Sequence, residues 1–320
     1  MNNKKAPSKT KSKSKSKKGL LKKILIPLLL LLLVIGGIAG YMYYKAADTV
    51  DKINEPLKTT STKVADEKPF TVLLMGIGTQ PSNAKRQLRG ASDTMVLATV
   101  NPSKNEMNLL SIPRDMITPI SGESKKGKIS TAYTIGGAQK AVDTVSDLFD
   151  VSIDHYVTLN MDGLEQLVDA VDGVNVKNAF EFTQDGFNFP KGTLTLSGEK
   201  ALSYSIMRYN DPNDDFGRQK RQRQTVDALF VKLVSAKGLM NYNAIMDIIG
   251  ENVTTNISMK EIFGIAKNYR NVKTVKQNTI EGGKVVRPNN STDKRVPSTY
   301  VISDKYIKEY SQLLKQQLAE

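Results

Sequence analysis

An unbroken apolar run fills residues 24–44, and beyond it the apolar positions break into short segments of two different spacings. The first run has 21 residues and no charge. At about 1.5 Å per residue it spans about 30 Å, the depth of a bilayer core. It predicts one transmembrane helix, with Pro27 tolerated near its start. Residues 45–68 turn polar, rich in Thr, Lys and Asp with one Pro at Pro56, and read as a stalk. Folded sequence is expected over 69–320. Residues 70–75 have the length and composition of a buried strand, ended by Gly76-Ile77-Gly78. Residues 94–100 and 107–112 flank the turn Asn101-Pro102-Ser103-Lys104-Asn105 and predict a hairpin. Helical spacing follows at Ala138, Ala141, Val142, Val145, Leu148 and Phe149, and again at Met161, Leu164, Leu167, Val168 and Val171. Strands are predicted at 155–159 and 174–176, with fainter signals at 189–196 and 299–303. Helices are predicted from Glu199, across 239–275 and over 307–318. This order gives an α/β to α+β fold, a mixed sheet covered by helices, with no internal repeat.

One stretch, residues 208–224, carries the densest chemistry. Asp211-Pro212-Asn213-Asp214 is a turn. Gly217 then opens an amphipathic helix whose predicted core face is Val226, Leu229, Phe230 and Leu233. Its first turns carry Arg218, Arg221 and Gln222, with Arg218 and Gln222 one turn apart on one face. Free N–H groups at a helix start, joined by guanidinium groups, suit a phosphate or pyrophosphate. A solvated basic face is the competing reading.

Charge is distributed unevenly. The chain is +14, and its first 23 residues supply +10 through ten lysines without one acid. The positive-inside rule holds that tail in the cytoplasm and sends the remainder outside. The four residues Met42-Tyr43-Tyr44-Lys45 lack a small-residue cleavage pattern, which favours an uncleaved anchor over a signal peptide. The Lys/Ser-rich tail is low-complexity and suits anionic inner-leaflet lipid. The remaining +4 gives the folded part no charge signature of a nucleic-acid binder. There is no cysteine, so disulfides, thiolate nucleophiles and cysteine-ligated metals are excluded. The single histidine, His155, opens an apolar strand and reads as structural.

Three further positions carry potential chemistry. Asp93 stands at a strand mouth, where a carboxylate holds a hard cation or caps a turn. Ser111-Ile112-Pro113-Arg114-Asp115 ends a strand, and Lys128 precedes a polar segment. Each is weak alone, and a lone strand-end Arg or Lys is more often a surface ion pair.

The ordered motifs together are more specific. They are Leu73-Leu74-Met75-Gly76, Ser92-Asp93-Thr94, Ser111-Ile112-Pro113-Arg114-Asp115 and Ala132-Tyr133 before Gly136-Gly137. Ile153-Asp154-His155-Tyr156-Val157, Gly198-Glu199-Lys200-Ala201-Leu202-Ser203-Tyr204 and Asp215-Phe216-Gly217-Arg218-Gln219-Lys220-Arg221-Gln222 complete them. Over residues 70–235 the chain resembles the LytR-CpsA-Psr family of Gram-positive cell-envelope proteins. The resemblance implies an α/β/α sandwich with a central mixed sheet enclosing a lipid tail. It implies transfer of a teichoic acid or capsular polysaccharide from a polyprenyl-pyrophosphate carrier to peptidoglycan through a phosphodiester, with Mg²⁺ as cofactor. It implies Asp93 as metal ligand and catalytic group with Arg114 and Arg208. Lys128, Arg218 and Gln222 join the two arginines as phosphate contacts. Three positions depart from the family pattern: Gly78 for Asp, Ala91 for Arg and Ile206 for Arg. Arg89 is the expected substitute for the arginine missing at 91, and Arg221 is an expected further contact. An active transferase, an impaired paralogue that binds polyprenyl phosphates, and an anchored adhesin or nucleic-acid binder are the readings to separate.

Overall fold

The structure, a computed structural model, describes residues 17–58, 68–78, 90–233, 235–268 and 274–319; at residues 17–32, 266 and 268 it describes the backbone alone. The chain divides into a unit of residues 1–45 and a unit of residues 46–320. In the first, helix α1 begins at Lys17; it ends at Ile53. Among the described residues no helix is long and apolar enough to cross a membrane. The lysine tail before residue 17 and the side chains of residues 24–32 within the expected anchor lie outside those described.

In the second unit the last turns of α1 are part of the fold. Val50 and Ile53 are buried, Leu57 packs on the core, and the Glu55 amide donates to the Thr255 carbonyl at 2.7 Å. Within the expected stalk of 45–68, these three apolar side chains gain more from packing than from solvent. Residues 59–67 lie outside the described ones.

The elements that follow are β1 (Phe70–Ile77), β2 (Ser92–Asn101), β3 (Glu106–Ser111), β4 (Ile117–Pro119), β5 (Lys126–Lys128) and α2 (Thr131–Phe149). Then come β6 (His155–Asn160), α3 (Met161–Ala170), β7 (Val174–Asn178), β8 (Phe182–Gln184), β9 (Phe187–Phe189), β10 (Gly192–Leu196), α4 (Gly198–Ile206) and α5 (Asp214–Leu233). The chain closes with α6 (Ala236–Met240), α7 (Tyr242–Asn252), β11 (Val253–Thr255), α8 (Met259–Asn268), β12 (Thr274–Thr279), β13 (Lys284–Val286), β14 (Thr299–Val301) and α9 (Asp304–Leu318). Six strands form a mixed sheet in the order β11-β6-β1-β2-β3-β12. The predicted hairpin is present as antiparallel β2 and β3, and β6 runs parallel to β1.

Alternation along β1 builds the layers. Leu73, Met75 and Ile77 share one face with Leu97 and Leu110 and pack against Val142, Val145 and Phe149 of α2 and Leu314 of α9. Phe70, Val72 and Leu74 share the other with Ala98 and Val100. On that second side α3, α4, α5 and α7 join β7 to β10 in a cluster around Val168, Val174, Phe189 and Tyr204.

Two expectations are corrected. The helix expected across 239–275 is interrupted by β11, and β12 begins at its end. Both strands lie at the sheet edges, and β12 (Thr-Val-Lys-Gln-Asn-Thr) is exposed, so no apolar alternation marks it. The expected core face of α5 is also wrong in part. Leu229 is buried, but Val226 and Phe230 are 49% and 65% exposed. Buried instead are Arg218, Gln219, Arg221, Gln222 and Thr225. His155 is buried edge-on to Phe70 with ring centroids 5.9 Å apart, as a structural residue should be. Burial lowers its pKa, although Glu261 and Asp154 pull it upward.

Candidate functional site: a guanidinium cluster above an apolar groove

The site lies at the edge of the sheet where β1 and β3 end and β2 begins. Asp93, the second residue of β2, pairs its Oδ1 with the Arg114 guanidinium. Arg114 emerges after Pro113, which cannot donate to the ladder and so ends β3. Asp115 accepts from Lys128 Nζ at 2.7 Å, which ties the β3 exit to β5. Arg208 follows α4 and lies among three carboxylates: Asp214 at 3.1 Å, Asp115 at 3.5 Å and Asp215 at 3.7 Å. Burial lowers its pKa, but Asp215, Asp115 and Asp214 together outweigh that and raise it.

Arg218 is the most enclosed of the cations, 4% exposed. Its Nη2 meets Asp215 Oδ1 at 2.5 Å, at an angle that makes no hydrogen bond. Burial depresses its pKa most; Asp215 and Asp93 oppose this, while Arg114 and Arg208 add to it as like charges. The three arginines, from three separate segments, therefore converge. Arg114 Nε, Arg218 Nε and Nη2, and Gln222 Oε1 are buried without a hydrogen-bond partner. Such atoms are few in a native fold, and four in one place make this the candidate ligand site. Three guanidinium groups with spare donors suit phosphate oxygens.

Arg221 is the exception among the expected contacts. It is buried, pairs with Asp211, donates its Nε to the Tyr204 carbonyl at 3.0 Å and lies over the Phe182 and Tyr204 rings. Its donors are spent inside the fold, on the buried Asp211 carboxylate and on the carbonyls of Tyr204 and Met207. The helix start is also different from the expected one. Since α5 begins at Asp214, the carboxylates Asp214 and Asp215 already complement its dipole end. Arg89 lies outside the described residues.

One turn beyond Arg218 on the same face, Gln222 enters a groove of about 250 Å³. Leu74, Val96, Leu109 and Val157 from four adjacent strands line it, with Leu164, Ile206 and Val226 from the helices. Its polar members include Gln222 and Arg223, and Arg223 is held to Ser111 Oγ at the end of β3. Val226 is exposed because it faces this groove rather than the core. The residues at the site that the sequence did not reveal are Arg223, Arg287 and Ser298. The last two lie beyond the motifs, and no local pattern announces them.

No group of three or more His, Cys, Asp or Glu side chains that could hold a metal occurs among the described residues. Asp93 is the one assigned carboxylate, since residue 78 is glycine. One carboxylate oxygen fits a Mg²⁺ ion only with oxygens brought by a phosphate ligand.

Known proteins share this fold and a good part of this sequence. A protein of Enterococcus faecalis named polyisoprenyl-teichoic acid–peptidoglycan teichoic acid transferase TagU is 39% identical over 254 residues, covering 78% of this chain and 83% of that one. The crystal structure of gbs0355 from Streptococcus agalactiae superposes with a TM-score of 0.70 at 32% identity, covering 82% of this chain and 91% of that one. A structure described as TagT bound to LIIa-WTA superposes with a TM-score of 0.64 at 26% identity, covering 83% and 99%. The sequence profile of one family spans residues 38–316, nearly the whole of the second unit, and with it the chain belongs to the LytR_cpsA_psr family.

Proposed function

We propose that this protein transfers a lipid-linked anionic glycopolymer of the teichoic acid or capsular type from polyprenyl pyrophosphate to peptidoglycan. The observation that carries this is an apolar groove entered by Gln222, one helical turn from Arg218, which shares a charge cluster with Arg114 and Arg208. An apolar chain ending in a pyrophosphate matches both halves at once. Relatives named as teichoic acid transferases support the same reading.

The groove takes the prenyl chain, and Gln222 marks the passage to the head group. The arginines bind the two phosphates. A peptidoglycan hydroxyl oxygen then forms a bond to the polymer's phosphorus, and the hydroxyl proton is released. The bond to the bridging oxygen breaks, and polyprenyl phosphate departs with the electron pair. Arg114, Arg208 and Arg218 neutralise the charge that spreads over the transferring phosphoryl oxygens. Lys128 acts through Asp115, which it holds beside Arg208. Asp93 would give one oxygen to a Mg²⁺ that arrives with the substrate, and the ion would supply further charge neutralisation. Residues 24–44 would anchor the protein in the membrane with the domain outside, on the side of the peptidoglycan.

A second reading is favoured by one observation. Gly78 and Ile206 bring no charged group to the site, so the chain would bind the lipid and transfer slowly. Purified full-length protein mixed with lipid-pyrophosphate-linked polymer and peptidoglycan tests both. Covalent polymer–peptidoglycan product is expected. Copurified polyprenyl phosphate without product would favour the binding protein, and neither lipid nor product would reject both readings.

A further inference from the structure

Arg208 is held partly from outside the stretch that carries the motifs. Its Nη2 donates to Ser298 Oγ at 2.8 Å, and its Nε to Asp214 Oδ1 at 3.1 Å. Asp214 Oδ2 in turn accepts from Arg287 Nη2 at 2.6 Å. Arg287 directly follows β13 and Ser298 directly precedes β14, so both belong to one antiparallel hairpin. That hairpin grips the site at two more points. Lys294 Nζ donates to the Asp211 carbonyl at 2.6 Å, and the Tyr300 amide donates to the Asp115 carbonyl at 2.8 Å. Ser298 is 3% exposed, so water does not compete for its hydroxyl. Asp214 has φ +53°, a left-handed conformation that Asp tolerates better than most residues, and this fixes where its carboxylate points.

A free arginine has many rotamers, and ordering one at the moment of binding costs rotamer entropy. Held between Ser298 and Asp214, Arg208 is already ordered, so the interaction with phosphate loses less. We infer that Ser298 and Arg287 are positioning residues, by which the C-terminal hairpin aims Arg208 at the substrate phosphate. This rests on the transferase reading above and adds to it a part of the chain that no motif marks.

A double-mutant cycle tests it with the full-length chain in detergent and geranylgeranyl pyrophosphate as probe. Ser298→Ala should weaken binding about tenfold, the scale of one hydrogen bond to a charged group. Ser298→Thr, which keeps the hydroxyl, should restore it, and Arg287→Met should act like Ser298→Ala. In an Arg208→Ala background neither change should weaken binding further, because both act through that side chain. Equal losses in both backgrounds, or full affinity in Ser298→Ala, would overturn the inference while leaving the functional reading intact. A chain that binds no pyrophosphate before any substitution would overturn both.

Discussion

A Cβ built on Gly78 would lie 2.4 Å from Oδ2 of Asp93. The atom it meets is the mobile end of a side chain, so a rotation of Asp93 would make room. Aspartate at 78 would therefore set two carboxylates side by side, a better ligand pair for Mg²⁺ than one. Ile206 lines the groove beside Gln222 and is 38% exposed, so arginine there has space to reach a phosphate. The double change Gly78→Asp with Ile206→Arg is expected to raise polymer transfer and its dependence on Mg²⁺. Product formation with and without Mg²⁺ checks this, and unaltered turnover would show that neither position limits the reaction.

Arg218 makes its one ion contact with Asp215 and keeps buried donors unused. Arg218→Ala is expected to weaken binding of a prenyl pyrophosphate by about 1.5–3 kcal/mol, the scale of a charged hydrogen bond. Calorimetric titration of both proteins reads the difference directly.

Arg221 should behave in the opposite way. Removing it strands the buried Asp211 carboxylate, so Arg221→Ala is expected to cost about 3–5 kcal/mol of stability. The urea midpoint should fall well before any loss of phosphate affinity appears at low denaturant. A normal midpoint with lost binding would return Arg221 to the substrate.

Burial holds His155 below its ordinary value of 6.5. The unfolded chain therefore takes up this proton first as pH falls. Stability from this residue is complete above the unfolded value and declines below it, by at most about 1.4 kcal/mol per pH unit, until the folded imidazole also protonates. His155→Phe should flatten the stability profile between about pH 6.5 and pH 5, where carboxylates contribute little. Denaturation midpoints across that range give the comparison.

Ten lysines before residue 24 and the apolar run after it set the expected topology. Protease added to protoplasts should digest the domain and spare the tail. A digested tail beside a protected C-terminus would place the protein the wrong way round for wall chemistry.

Much of this protein was fixed by short-range patterns. Short apolar runs of strand length announced β1, β2, β3 and β6, and the turn chemistry before Gly217 announced α5. Asp93, Arg114, Arg208, Arg218 and Gln222 stood in ordered motifs that a reader of the chain alone could collect. Tertiary structure decided which of them meet. Arg218 and Arg221 are chemically alike and three residues apart, yet one keeps buried donors unused in the arginine cluster and the other is spent on Asp211, Tyr204 and Met207. Val226 and Phe230 look like core residues, but the space beneath Val226 is a groove instead of packed side chains. The edge strands β11 and β12 carry too little apolar surface to be seen before the sheet exists to pair with them. Ser298 and Arg287 reach Arg208 and Asp214 across 90 and 73 positions, a closure that only the folded chain can make.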